Sequence, residues 1–123
     1  MDDDVETVTL ADAFDSFEEH WSPRLAAELN GQAVKLAKLD GEFVWHHHDD
    51  ADELFLVVSG SLRIELRGRE DRELGPGELA VVPAGVEHRP VADAETEVLL
   101  FEPVETRNTG DVESERTSEL ERL

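Results

Sequence analysis

Three consecutive histidines followed by a run of carboxylates, in the stretch GEFVWHHHDDADELF from Gly41 to Phe55, put metal-ligand chemistry into one short segment. On a strand, side chains alternate sides, so His46 and His48 share one face and His47 turns to the other. Asp49 to Asp52 has the length and polarity of a four-residue hairpin loop, which predicts His48 opposite Glu53 and His46 opposite Phe55, all on one face. Asp52 is the alternative carboxylate if the loop is read one residue differently. A fourth group comes from GELAVVPAGVEH, where a glycine, a strand, a proline turn and a second glycine lead to His88 at the start of another strand. If that strand lies beside the first pair, His88 faces the same interior. The remaining candidates read as scaffold. His47 and His20 are expected at the surface, Asp49, Asp50 and Asp52 lack the longer ligand spacing of a calcium loop, and Arg89 alternates away from His88 into a surface salt bridge.

Positioning these groups requires strands. LADAFDSF, after Thr9 as a possible N-cap, spaces Leu10, Ala13, Phe14 and Phe17 as a short helix does. Ser22-Pro23 closes it, and RLAAELNGQAVKLAKL reads as two strands around the hairpin dipeptide Asn30-Gly31. From Gly41 onward, EFVWHHH, ELFLVV, SLRIELR, LAVVP, HRPVA and TEVLLFEP are strand-like runs separated by Gly and Pro turns, with a charged loop expected from Gly68 to Glu73. Many short strands with such punctuation indicate an all-β barrel or sandwich. The polar end, residues 104–123, is read as a disordered or loosely attached acidic tail, with a tail lying over the barrel as the alternative.

The chain has 123 residues, enough for one domain and too few for two. Its 31 acidic residues against 11 basic ones give a net charge of −20, and its only lysines are Lys35 and Lys38. Such a field repels phosphate, which argues against nucleic acid and anionic membranes as partners. The acid excess reads as a solvation adaptation to a salt-rich cytoplasm. Without cysteine there is neither disulfide nor thiolate ligation. No apolar run approaches membrane-spanning length and the start, MDDDVE, has no leader character, so a soluble cytoplasmic protein is expected.

Gly41, His46, His48, Glu53 and Gly60, followed by Gly77, Pro83, Gly85 and His88, resemble in order and spacing the two motifs of small single-domain cupins. The match covers about residues 34–103. Two departures are the spacer after Gly41, one residue shorter than the common pattern, and Ala92 where an asparagine is often found. NTGDVESERT also resembles the tails of small cupins of unassigned activity. The resemblance implies a conical β-barrel of the double-stranded β-helix, or jelly-roll, type. It divides the chain into a leading helix and strands (1–33), a barrel core (34–103) and the tail (104–123).

It further implies one divalent metal ion held by His46, His48, Glu53 and His88. Imidazole and carboxylate do not choose among iron, manganese, nickel, zinc and copper. Val44, Phe55, Val57 and Phe101 are the expected apolar pocket lining. The leading functional reading is a small-molecule metalloenzyme, dioxygenase-like or using other metal-assisted chemistry on an oxygen-bearing substrate. Behind it stand a non-catalytic binding or sensing cupin, a sugar-phosphate isomerase-like activity, for which no basic cluster is evident, and a purely structural metal. No separate catalytic acid or base is identified. A homodimer is expected, through apolar material at Phe43, Trp45 and residues 24–39.

Overall fold

Asn30 and Gly31 both adopt positive φ, 53° and 78°, the conformation a two-residue hairpin needs to match the twist of its strands. They join β1 (Arg24–Leu29) to β2 (Gln32–Glu42) in antiparallel register from Leu29–Gln32 to Arg24–Leu36. The computed structural model describes residues 4–111 and 119–123. Six further strands follow: β3 (Glu53–Ser59), β4 (Leu62–Leu66), β5 (Arg72–Leu74), β6 (Leu79–Val82), β7 (His88–Pro103) and a two-residue β8 (Glu121–Arg122).

β7 organises the barrel. Its 16 residues pair along one edge with β2, from Gln32–Pro103 to Glu42–Val91. Along the other edge the first half pairs with β4 and the second half with β3. One long strand thus carries both walls, and the sheet forms the all-β barrel expected from the turn pattern, of the jelly-roll type that the resemblance implies. β6 pairs with β3, and β5 pairs with β4. The charged segment expected as loop from Gly68 to Glu73 therefore ends in a short strand.

Alternation splits the apolar residues between two cores. Ala37, Leu39, Phe55, Val57, Leu62, Ile64, Val98 and Leu100 fill the barrel interior, with Trp21 and Phe43 at one end. Their neighbours in sequence, Leu36, Val58 and Leu99, face outward, where helix α1 (Leu10–Asp15) covers them with Ala13 and Phe14, joined by Phe17 beyond the helix end. Strands buried on both faces read as continuous apolar runs, which is why ELFLVV and EVLLF show little alternation. Thr9 occupies the N-cap position but makes no side-chain cap hydrogen bond. Among the described residues, no helix is long and apolar enough to cross a membrane.

Two expectations need correction. EFVWHHH is not a strand: β2 ends at Glu42, and the segment beyond touches β7 through Phe43 N–H to the Pro90 carbonyl and a single bridge between His46 and His88. The described part of the tail is not loose either. Residues 104–111 fold back on the barrel, Thr109 is fully buried, and β8 lies parallel to β1. Residues 112–118, which include all of VESERT, lie outside the described residues.

Candidate metal centre

His46 and His88 exchange both backbone hydrogen bonds, at 3.0 and 2.9 Å. A directly opposed pair of this kind sends its side chains to one side, and the two rings lie 4.3 Å apart between centroids. Each ring is then oriented by its own chain. His46 Nδ1 donates to the Val44 carbonyl at 2.9 Å and His88 Nδ1 to the Val86 carbonyl at 2.8 Å. A carbonyl only accepts, so both Nδ1 atoms carry the proton and both Nε2 atoms present a lone pair to the interior.

Glu53 opens β3 and points into the same space. Its Oε1 lies 3.3 Å from His48 Nε2 and 3.4 Å from His88 Nε2. One nitrogen or carboxylate oxygen from each of His46, His48, Glu53 and His88 falls within 4.8 Å of all the others, and all four residues are buried. The carboxylate in the cluster is therefore that of Glu53. Asp52 is exposed and accepts a hydrogen bond from the Ala84 amide instead. The hairpin reading of how these groups meet was incorrect: His46 faces His88, and Glu53 faces Val82 on β6.

The electrostatics suit a cation. Burial holds the His46 imidazole down at about 4, helped by the neighbouring His88, so it is neutral at ordinary pH. Burial by itself raises Glu53, but the His48 and His88 imidazoles beside it outweigh that and keep its carboxyl well below the usual carboxylate range. His48 Nε2 is buried, near Glu53 but without a hydrogen-bond partner. A buried ring nitrogen left without a hydrogen bond costs free energy unless something fills the centre of the cluster. Three imidazoles and one carboxylate at these separations fit a divalent ion of the transition series or zinc, and they would be the residues to hold it.

The cavity beside the cluster is mostly apolar. Trp21 and Phe43 stack at 4.7 Å and 12° on one wall, and Leu39, Phe55, Val98 and Leu100 contribute from the barrel, with His46, Glu53 and Asn108 as polar groups. Of the four lining residues expected from sequence, Phe55 is in place. Val57 is packed in the core farther along β3, Phe101 alternates with Leu100 to the outer side of β7, and Val44 contributes its carbonyl to His46.

Several residues were not anticipated. Trp21 has φ of 58°, rare for a bulky side chain, and is held by amide donation to the Lys38 carbonyl and indole donation to the Asp40 carbonyl. Asn108 reaches the cavity from the tail. Gly110 lies so close to the His47 carbonyl that a Cβ there would clash, and Asp111 and His47 exchange hydrogen bonds through the His47 amide and carbonyl. Nothing in the local pattern of NTGD signals such a seat. His47 itself points outward to Asp49 and Asp111, as alternation predicts, and His20 pairs with Glu95 at the surface. Arg89 bonds Glu65 and Glu42, away from the cluster.

Residues 33–103 match the cupin domain family, which is more than half of the chain. The chain belongs to that family. It is 41% identical over 63 residues to the uncharacterized protein YdbB of Bacillus subtilis (strain 168), a match spanning 51% of this chain and 56% of that protein. A cupin-2 domain containing protein from Shewanella frigidimarina NCIMB 400 superposes with a TM-score of 0.76 at 46% identity, covering 78% of this chain and 93% of the other. Protein NMB1881 from Neisseria meningitidis superposes at 0.74 with 30% identity, covering 80% and 99%.

Proposed function

We propose that the protein binds one divalent metal ion through His46, His48, Glu53 and His88 and uses it as a small-molecule metalloenzyme. The observation that carries the reading is the set of four buried donors within 4.8 Å of one another, one of them otherwise without a partner. When bound, the ion would supply Lewis acidity toward a substrate oxygen or, if redox-active, dioxygen chemistry. The chain's own part is to orient the imidazoles through the Val44 and Val86 carbonyls and to surround the centre with apolar side chains that exclude water.

The cavity composition orders the substrate readings. Among the described residues its lining contains no lysine or arginine, which disfavours sugar phosphates and therefore an isomerase-like activity. A dioxygenase-like or other metal-assisted reaction on a small, apolar-bodied, oxygen-bearing compound fits better. A non-catalytic binder is the second reading, favoured by one observation: among the described residues, and apart from the ligand set, Asn108 is the only polar lining residue, so these residues place no separate acid or base in the cavity. We also propose a homodimer in a salt-rich cytoplasm.

Elemental analysis of protein purified without an affinity tag or chelator, beside His46→Ala and His88→Ala, tests the centre. One equivalent of metal in the wild type and little in either variant is the expected result. Failure of the wild type to bind any divalent ion on reconstitution at neutral pH would reject it.

A further inference from the structure

Trp21 and Asn108 meet at the cavity beside the cluster, although 87 residues separate them and both lie outside the stretch that matches the cupin family. The Asn108 amide donates to the Trp21 carbonyl at 3.4 Å. Trp21 is held in turn at a φ of 58°, costly for a bulky residue. Its amide and indole N–H groups donate to the Lys38 and Asp40 carbonyls, each at 2.9 Å. Strain of this kind persists only where the surroundings over-determine it, and it collects at ligand sites. Here it fixes the indole flat against Phe43 as an apolar wall of the cavity.

The segment that carries Asn108 is pinned on both sides of it. Before it, Lys35, buried and paired with Glu102 at 3.1 Å, donates to the Thr106 carbonyl at 3.0 Å. After it, Thr109 is fully buried, and Asp111 accepts from the His47 amide at 2.9 Å while its own amide donates to the His47 carbonyl at 3.1 Å. His47 stands between two of the four clustered residues, so this run of contacts holds Asn108 at a set distance from them. Asn108 also stands at a way in. It and Pro23 line both the cavity, about 30 Å³, and an outer recess of about 410 Å³, and a compound moving from recess to cavity passes between them.

We infer that Asn108 is the specificity-determining residue of this cavity, selecting a small uncharged compound with two oxygens, one for the metal centre and a second for the Asn108 amide. This deepens the proposed function and rests on it. The size admits only a few non-hydrogen atoms, whose apolar edge lies on Trp21 and Phe43. A carboxamide donates and accepts but does not titrate, so it recognises an oxygen and moves no proton. Among the described residues no lysine or arginine lines the cavity, and a charged group buried there would go uncompensated. A site built to hydrogen-bond a hydroxyl rejects the analogue that lacks it strongly, because the analogue dries a polar group without bonding it.

Hydroxyacetone and 2-butanone, alike in size and different by one hydroxyl, are the probes. Each is titrated into Zn²⁺-loaded protein and followed by NMR at the Asn108 side-chain amide and the Trp21 indole N–H. Wild type is expected to bind hydroxyacetone at least about tenfold more tightly than 2-butanone, with the Asn108 amide signals shifting. Asn108→Leu, of similar shape without polar atoms, should bring the two probes within about threefold of each other. A merely loosened cavity weakens both probes alike and keeps their ratio, so the ratio separates recognition from structure. If thermal melting shows that the leucine variant does not fold, Asn108→Ala replaces it with the same expectation. A folded variant that keeps the wild-type preference overturns the inference, as does a Zn²⁺-loaded wild type that binds the probes equally or binds neither. Failure of the wild type to take up Zn²⁺ is a different result, which overturns the centre as a site for that ion and this selection with it.

Discussion

His46 shows at the scale of one residue how the site is held ready for a cation and what that costs. In the folded chain burial and the adjacent His88 keep it neutral down to about pH 4, whereas in the unfolded chain it takes up a proton near pH 6.5. Between those values the unfolded state binds more protons, so stability rises with pH across the window. The contribution is complete above about pH 6.5 and falls away as pH drops toward 4. A shift of this size corresponds to about 3 kcal/mol. Urea unfolding of the metal-free protein should lose about that much between pH 7 and pH 4 relative to His46→Gln, which has no imidazole to protonate. Parallel pH profiles for the two proteins would show that burial does not hold His46 neutral.

At the scale of elements, the strand pattern and the paired motifs made the barrel and the four donors legible, and long-range pairing hid the rest. Asn30-Gly31 announces its hairpin because the turn chemistry is local. The seat of His46 was misread because its partner, His88, lies 42 residues away and leaves no local trace. Lys35 and Glu102 could have been noticed as charges at inward positions of AVKLAKL and VLLFEP, but alternation alone does not separate a buried charge from the edge of a strand. The segment 104–111 was least legible, since its anchors are contacts to residues distant in sequence, His47, Gly31, Lys35 and Trp21. Those contacts make a prediction. Gly110→Ala, at φ of 56° and against the His47 carbonyl, must lift the segment. The two amide bonds joining His47 and Asp111 are worth about 1 kcal/mol each, so hydrogen exchange at those amides should quicken by about tenfold or more. Unchanged exchange would mean that the segment adapts without leaving His47.

The molecule as a whole carries −20 charges on a surface from which its lysines have been withdrawn, Lys35 and Lys38 being 2% and 9% exposed. Lys38 donates to the Phe17 carbonyl and so ties the segment after α1 to β2. Self-repulsion on such a surface opposes both folding and association until salt screens it. The dimer face expected from sequence is not free: Phe43 is in the core, Trp45 lies under the Arg67 and Arg89 guanidinium groups, and α1 covers the outer side of β2. Leu79 and Val81, 55% and 54% exposed on β6, are apolar, and among the described residues β6 pairs only with β3, so we propose that a homodimer makes its contact there. Repulsion between two such chains acts over about 10 Å in 0.1 M salt and about 3 Å in 1 M. Light scattering should therefore give the monomer mass in dilute salt and twice that mass in molar KCl, while the urea midpoint rises over the same range. Leu79→Glu should keep the rise in midpoint, which belongs to the single chain, and abolish the doubling of mass. A midpoint indifferent to salt would show that arginine pairing already neutralises the surface, and a monomer in molar KCl would reject the dimer.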